Sequence, residues 1–432
     1  MRAFLTLCLV IIFSPIYGAK SFDIKRWKTA NGAQVVFYQG MEVPMLDMSI
    51  AFAAGSAYDG KYFGLSALTA RLLNQGNSGL DATAIAEKLE NTGAQYQAET
   101  TQDMVVFNLK SLTTPTALQA AVDVFSSIIA HPDFPENSLN REKNQQLMAI
   151  AEAEDTPDEI ATLAFFKALY QKHPYAHPVN GDPTQVKQLT AAQVRDFYHQ
   201  FYSSENAFVV LVGAINEEQA HKIADQLTRD LPHGQYAGLV PKAFPLHEEM
   251  NVGVKFPSSQ TVIRLGQLGI DHHDKNYFPL IVGNYSLGGG ALVSRLALEV
   301  REKRGLTYGI TSEFAPMPGL GPFVISLSTK TNQAETAMEV TRKNLAAFME
   351  TGPSADELRA AQQFLTGSFP MSLASNRNIA KTLLKMEFYH LPNDYLDRYI
   401  DNINNVTTEQ IKQAFTQTIK PNDLLQVSVG KM

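Results

Sequence analysis

The chain has 432 residues, of which 45% are hydrophobic and 18% are charged, and its formal net charge is −7. This length suffices for two or three domains with cores of their own, and the composition excludes a disordered chain. A mildly acidic sequence without a basic cluster also argues against nucleic acid or an anionic membrane surface as a partner.

The N-terminal segment 1–19 has the pattern of a secretory signal peptide. Arg2 supplies the positive start, an apolar run follows from Phe4, and Gly18 and Ala19 are the small residues expected at a cleavage point. The run is too short for a comfortable membrane span, although an uncleaved anchor is the alternative interpretation. Loss of the segment would remove its single charge and leave a net charge of −8.

The only cysteine of the sequence, Cys8, lies in this segment. A chain cleaved after it has no thiol, which excludes cysteine catalysis, disulfide bonds and thiolate metal ligands. Export without disulfide bonds is most consistent with a bacterial periplasm, and we expect no membrane association after cleavage.

Strand and helix patterns alternate along the remaining chain. Runs rich in β-branched residues predict strands, and apolar residues spaced three or four apart predict helices. In chain order the predicted elements are strands at 34–38 and 48–53, helices at 115–130 and 157–170, strands at 207–213, 261–265 and 323–328, helices at 331–349 and 357–365, and a strand at 424–430.

The second half of the sequence repeats the first. Residues 190–193 and 407–410 both read Thr-x-x-Gln, a capping box at a helix start, and each helix leads to an apolar strand that ends in Val-Gly. A constant 217 residues separates the two copies, and 93–96 matches 305–308 at a spacing of 212. Two homologous halves are therefore predicted.

These patterns predict an α+β fold of two homologous half-chain domains, each a mainly antiparallel sheet with helices packed on one side. A stretch punctuated by proline and glycine marks the boundary between the halves. The predicted organisation is a signal peptide at 1–19, an N-terminal domain at 20–232, a linker at 233–245 and a C-terminal domain at 246–432.

Residues 64–76 resemble the zinc-binding helix of the pitrilysin or insulinase peptidases, a family that includes the mitochondrial processing peptidases. The family motif is H-x-x-E-H, in which two histidines on one helix face bind zinc and the glutamate deprotonates a bound water. The flanking Gly-Leu and the closing Gly agree with the family. The three functional positions are Ala67, Ala70 and Arg71.

These three residues form a degenerate zinc site. Alanine offers no lone pair to a metal, and an arginine repels the ion. By the resemblance of 150–157 to the family's I-x4-D-x-P run, the third zinc ligand, a glutamate, falls at Met148 or Ala149, and it is missing too. We therefore expect no metal in this chain.

Residues 286–308 are similar to the family's second-half segment almost residue for residue. The family's arginine and tyrosine, seven residues apart, match Arg301 and Tyr308. The resemblance implies that the tyrosine donates to a peptide carbonyl as it becomes an oxyanion, while the arginine holds the peptide main chain. The glycines at 288–290 predict a flexible or close-approach turn rather than a phosphate loop.

Residues 93–100 resemble the edge strand on which the family lays its substrate as an added strand. The candidate substrate-binding residues are Gln97, Ala98, Glu99 and Thr100. An ordinary hairpin edge explains their alternating polar pattern equally well.

The histidines offer no second metal site. His173 and His177 lie in a proline-flanked loop that resembles a packing segment of the family, and His272 and His273 precede a helix in a polar turn. Without carboxylate partners these pairs are best interpreted as packing or surface residues.

The resemblance spans about residues 24–430 and implies a two-chain peptidase. In this interpretation the protein is the non-zinc-binding subunit of a heterodimeric periplasmic zinc metallopeptidase, inactive alone, with zinc in a homologous partner. Arg301 and Tyr308 would act on a peptide substrate at that zinc. The alternative is a catalytically inactive structural or peptide-binding homologue, and no residue constellation supports an independent enzyme with an unrelated site.

Overall fold

The computed structural model describes residues 22–431, so the predicted signal peptide and Cys8 lie outside the described residues. Within that range no helix is both long enough and apolar enough to cross a membrane. The described elements divide into two halves of the chain, taken in turn below.

The first half contains eight strands and eight α-helices within the described residues. Its strands are β1 (Ile24–Lys28), β2 (Gln34–Gln39), β3 (Met45–Phe52), β4 (Gly76–Asn77), β5 (Leu80–Asp81), β6 (Gln95–Thr100), β7 (Val105–Leu112) and β8 (Ala207–Gly213). Its helices are α1 (Leu65–Leu72), α2 (Ala82–Thr92), α3 (Pro115–Ala130), α4 (Glu136–Glu154), α5 (Pro157–Tyr170), α6 (Pro183–Gln188), α7 (Ala191–Phe201) and α8 (Glu217–Thr228).

The second half, as far as residue 431, contributes five strands and six α-helices. Its strands are β9 (Met250–Lys255), β10 (Gln260–Leu268), β11 (Ile310–Phe314), β12 (Pro322–Lys330) and β13 (Leu425–Gly430). Its helices are α9 (Tyr277–Asn284), α10 (Ala334–Thr351), α11 (Ala355–Ser368), α12 (Asn376–Phe388), α13 (Tyr395–Asn404) and α14 (Thr408–Thr418), with π-helical turns at Tyr285–Gly289 and Ala297–Glu302.

The two large sheets share one strand order. The N-terminal sheet runs β1-β2-β8-β3-β7-β6, and the C-terminal sheet, read from its other end, runs β9-β13-β10-β12-β11. In each sheet one pair is parallel, β2 with β8 and β9 with β13, and the remaining pairs are antiparallel. The predicted α+β fold with mainly antiparallel sheets is confirmed, and the N-terminal sheet has β1 as an extra strand.

Local details support the repeat. Thr190 and Thr407 both make complete capping boxes, in which the threonine and the glutamine three residues later each accept from the other's backbone N–H. Gly93 and Gly305, paired by sequence, each end a helical segment with a positive φ, 67° and 61°. The two halves therefore build corresponding turns from corresponding residues.

Each sheet is covered on one face by helices of its own half and on the other by one helix of the opposite half. Helix α12 packs on β8 and β3 of the N-terminal sheet, and α5 packs on β13 and β10 of the C-terminal sheet. Every residue of β8 is consequently buried, as expected for a strand covered on both faces. Each half therefore contributes one helix, α5 or α12, to the core of the other half, and these contacts hold the two halves together.

The segment predicted as a linker is packed against this junction. Residues 229–249 form neither helix nor strand, yet Val240, Ala243 and Leu246 are buried with α5 and the C-terminal sheet. The division of the chain at 233–245 stays a prediction.

Candidate functional site

Helix α1, which resembles the family's zinc helix, is held at its N-terminus by the buried carboxylate of Asp59. The backbone N–H groups of Gly64 and Ser66 each donate to it at 2.7 Å, so the acid satisfies free amides at the helix start. Gly64 takes a φ of +95° at the N-cap, a conformation that favours glycine. Burial raises the pKa of Asp59 to about 8, although the two N–H groups oppose this shift.

The three degenerate positions lie together on this helix. Ala67 and Ala70 are each 3% exposed, whereas Arg71 is the only residue of α1 that is not buried. No residue among 22–431 forms an ion pair or hydrogen bond with the Arg71 side chain. The position that would carry two imidazoles and a carboxylate presents methyl groups and one guanidinium, so it does not fit zinc.

Helix α4 runs antiparallel to α1 and carries the position expected for the third ligand. The side-chain amide of Gln146 donates to the Gly64 carbonyl at 3.0 Å, and the Ser138 hydroxyl donates to the Gln75 carbonyl at 3.3 Å. The residues predicted at the ligand position are Met148, which is 64% exposed, and Ala149, which is half-buried. Within residues 22–431 no cluster of three or more histidine, cysteine, aspartate or glutamate residues could hold a metal ion.

The predicted substrate strand is the free edge of the N-terminal sheet. Strand β6 pairs with β7 on one side and has no strand neighbour on the other within the described range. Gln97, Ala98 and Glu99 are exposed, and Thr100 is half-buried. Because α1 packs against β6, the degenerate zinc helix and the open edge lie side by side.

Arg301 and Tyr308 flank the end of a helical turn in the second half. Arg301 lies in the π-helical turn Ala297–Glu302, with its guanidinium 3.1 Å from the Glu302 carboxylate. Tyr308 is 80% exposed. A tyrosine held only for packing would be half-buried at such a site, so its exposure leaves the hydroxyl free for a ligand or partner.

The backbone around Tyr308 is fixed although its ring is free. The N–H of Gly305 donates to the Arg301 carbonyl at 2.8 Å, closing the turn. The Thr307 hydroxyl lies 2.7 Å from the carbonyls of both Gly309 and Ser328, which ties the loop to β12. A tethered backbone with a solvent-facing phenol is suited to presenting one hydrogen-bond donor in a fixed place.

The glycine segment is a close-approach turn. A Cβ on Gly288 would lie 2.5 Å from the Ser312 hydroxyl and 2.6 Å from its backbone nitrogen. The same serine is held by Asn284, whose side chain exchanges hydrogen bonds with it at 2.6 and 2.8 Å. Only glycine fits against β11 at this position, which agrees with the predicted close approach.

The first histidine pair packs as expected. The His173 ring nitrogen lies 2.7 Å from the Pro241 carbonyl, and His177 stacks on Phe63 with ring centroids 4.1 Å apart. Burial lowers the pKa of both rings, so they are neutral packing groups near neutral pH.

The second pair lies against Tyr389 at the end of α12. The His272 ring lies against the Tyr389 ring, with centroids 4.1 Å apart and the planes tilted by 33°, and the His273 ring nitrogen lies 2.8 Å from the Tyr389 carbonyl. Burial lowers the pKa of His272 to about 3, with a smaller effect from the Lys385 ammonium. These contacts agree with packing roles.

Matches to known proteins cover most of the chain. Residues 41–182 match the family described as insulinase, peptidase family M16, and residues 188–365 match the peptidase M16 inactive domain. A crystal structure described as a peptidase M16 inactive domain from Pseudomonas fluorescens is 37% identical, covers 95% of this chain and 98% of its own, and superposes with a TM-score of 0.92. The chain belongs to peptidase family M16. The predicted family is thereby confirmed.

M16 relatives with curated descriptions differ in the activity that their names state. One from Bacillus subtilis, 27% identical over 91% of this chain and 96% of its own, is called an uncharacterized zinc protease, YmxG. One from Helicobacter pylori, 23% identical over 90% of both chains, is called a non-peptidase homolog, YmxG. Together with the inactive-domain structure, these M16 matches support an inactive homologue within the family.

The sequence prediction omitted residues that shape this region of the M16 chain. Asp59 carries no local capping signal, because it lies five residues before the N-cap Gly64 and reaches the helix start only through the path of the intervening chain. Three cations of α12, at 377, 381 and 385, were also missed, although their spacing of four places them on one helix face.

Proposed function

We propose that this chain is a non-catalytic M16 protein that binds extended peptides along the free strand β6. The observation that carries the proposal is the set Ala67, Ala70 and Arg71 on α1, where the family has its zinc-binding and water-activating groups. Water without a metal or general base beside it is a poor nucleophile for a peptide bond. We therefore expect no peptide cleavage by the chain alone.

Peptide binding is supported by the open side of β6. An edge strand presents unpaired N–H and C=O groups, which a second strand can pair with. The exposed side chains of Gln97, Ala98 and Glu99 leave that side accessible. An extended peptide would pair with the backbone of β6 and lie next to α1.

A second function is favoured by Tyr308, whose 80% exposure is unusual for an aromatic side chain with only a structural role. In this case the chain is the non-zinc subunit of a two-chain M16 peptidase in the bacterial periplasm. Its Tyr308 would donate to the oxyanion, and Arg301 would hold the peptide at the zinc of a homologous partner. Loss of one such donor typically lowers the rate by about 10²–10³.

The two functions are separated by assays of residues 20–432 alone and mixed with a zinc-bearing M16 relative from the same genome. Peptide binding by the chain alone, without cleavage, supports the first function. A gain in the partner's cleavage rate on mixing supports the second function, and Tyr308→Phe should then lower the mixed rate by about 10- to 1,000-fold. Cleavage by the chain alone would refute both.

Control variants distinguish a direct role of Tyr308 and Arg301 from a general loss of stability or charge. Tyr308→Phe keeps the ring, and its exposed hydroxyl has no internal partner within residues 22–431, so thermal stability should not change. Arg301→Ala is compared with Arg359→Ala, because Arg359 is an exposed arginine on α11 whose carboxylate neighbour Asp356 lies 3.7 Å away. Equal effects of the two arginine substitutions would contradict a role for Arg301.

A further inference from the structure

A groove lies on the face of the N-terminal sheet opposite α1, between helix α12 and strands β3, β7 and β6. We call it the α12 groove; it encloses about 380 Å³ and reaches the free edge through Gln97 and Glu99. A peptide strand paired with β6 would direct alternate side chains to this face and the others to the α1 face. The groove is therefore next to the proposed peptide-binding edge.

The floor of the α12 groove includes polar side chains that neighbouring strands place side by side. Asp47 of β3 pairs with Lys110 of β7, and Ser49 pairs with Asn108, whose other neighbour is Gln97 of β6. The Ser49 hydroxyl lies 2.6 Å from the Asn108 side-chain oxygen. Apolar side chains of Met104, Val106 and Leu384 line the same groove. An occupant that suits it therefore combines an apolar stem with a polar or charged end, because a buried polar group needs a partner.

The wall of the groove carries three cations. Arg377, Lys381 and Lys385 are spaced by four on α12, and with Lys110 they give the groove four positive charges against the carboxylates of Asp47 and Glu99. None of these four cations forms an ion pair within residues 22–431. The groove is therefore positively charged although the whole chain has a net charge of −7, and it should attract anionic groups.

The carboxylate of Asp47 is buried at one end of the groove. Its side chain is 6% exposed, and its Oδ2 has no hydrogen-bond partner among the described residues. Burial raises the pKa of Asp47, while the nearby Lys110 and Arg377 charges lower it. Lys110 and Arg377 thus act on Asp47, whereas Lys381 and Lys385 share the groove with the exposed Glu99 and can also receive an external anion.

Helix α12 runs in the same direction as β6. Its first residue, Asn376, donates to the Met45 carbonyl at 3.4 Å, and Tyr389 just after its end donates to Asp103, beyond the end of β6, at 3.1 Å. Four helical residues advance about 6 Å, and two strand residues advance about 6.6 Å. Successive cations of α12 are therefore spaced like alternate side chains of a strand.

We propose that the α12 groove selects extended peptides with acidic side chains at alternate positions when these peptides pair with β6. The proposal rests on the peptide-binding function above. The carboxylates would meet Lys381 and Lys385, and the peptide backbone would be held by the strand edge.

The test is fluorescence anisotropy of residues 20–432 with labelled peptides of alternating Thr and Glu, compared with peptides in which Gln replaces every Glu. We expect the Glu peptide to bind about 10-fold more tightly at low salt, since exposed charge contacts contribute up to about fivefold each. High salt should remove most of the difference by screening. Equal affinities, or no binding of either peptide, would overturn the proposal.

Charge reversal at one lysine of α12 tests whether the preference for the Glu peptide arises in the groove. Lys381→Glu should remove the preference for the Glu peptide, whereas Lys343→Glu should retain it, because Lys343 is an exposed lysine on α10 and the total charge changes equally. Equal loss in both variants would mean a long-range charge effect and would overturn the proposal.

A third peptide separates this inference from the function on which it rests. Backbone N-methylation at alternate residues removes the hydrogen bonds of an added strand and leaves the carboxylates intact. If the Glu and Gln peptides bind equally and the N-methylated peptide does not bind, peptide binding at β6 stands and the selectivity of the groove is refuted.

Discussion

The carboxylate that holds the degenerate zinc helix should impose a pH dependence on the whole fold. Asp59 is 3% exposed, and its pKa is raised from 3.8 to about 8 by burial. A raised pKa means that the folded state binds the proton more tightly than the unfolded state. The contribution of Asp59 is therefore fully present below about pH 4 and is lost as the pH rises towards 8.

The size of the effect follows from this interval. Each pH unit between the two pKa values changes the free energy of unfolding by up to about 1.4 kcal/mol, which gives an upper limit of about 6 kcal/mol for the shift from 3.8 to about 8. Asp59→Asn has no proton to lose. The difference in stability between wild type and Asp59→Asn should therefore move in favour of the variant as the pH rises from 4 to 8.

The measurement is urea unfolding of residues 20–432, followed by circular dichroism across that pH range. Asp59→Ala serves as a second variant: it leaves the N–H groups of Gly64 and Ser66 without their acceptor and should lower the free energy of unfolding by about 2–4 kcal/mol. A wild-type advantage over Asp59→Asn that grows with pH would refute the reasoning, because it would mean that the two N–H groups outweigh burial.

Three further predictions concern the junction of the halves and the metal site. Phe165→Ala removes a ring buried between α5 and the C-terminal sheet and should lower the free energy of unfolding by about 3–5 kcal/mol. Phe166→Ala is the control and should lower it less, because Phe166 is only half-buried. Equal effects of the two substitutions in calorimetry would contradict this packing. Tyr389→Phe removes the donor at 3.1 Å from Asp103 and should lower stability by about 1–2 kcal/mol in urea titrations, with no change counting against that hydrogen bond. A variant that restores the family motif should bind zinc; its substitutions are Ala67→His, Ala70→Glu, Arg71→His and Ala149→Glu. Elemental analysis after dialysis measures the bound zinc. Each of the two buried alanines, Ala67 and Ala70, should cost about 1–3 kcal/mol of stability when it is enlarged. The wild-type chain is the control, and one tightly bound zinc per wild-type molecule would contradict the degenerate site.

The sequence was sufficient for the features that depend on local spacing. The capping boxes at Thr190 and Thr407 predicted both the helix starts and the repeat, and both are confirmed. The helices at 115–130 and 157–170 have the predicted bounds, because proline at the first helical position and the apolar spacing fix them. The degenerate positions could be named from the flanking glycines alone, and their roles in function stay predictions.

The sequence could not reveal which surfaces meet. The apolar faces of α5 and α12 indicate burial, but nothing in their pattern states that each covers the sheet of the opposite half. The α12 groove combines Asp47 and Lys110 with cations more than 260 positions later, and only the strand register and the helix path bring them together. Such features depend on tertiary contacts that one-dimensional periodicity does not encode.

The exchange of α5 and α12 has a consequence for biosynthesis. One face of β8 is completed by Leu383 and its neighbours on α12, which are synthesised about 170 residues after β8. Until then Phe208, Val210 and Val212 lack the apolar cover that α12 provides, and a nascent chain in this state exposes part of a hydrophobic sheet surface that can aggregate. Neither half is therefore expected to be stable when expressed as a fragment, and maturation requires the last third of the polypeptide.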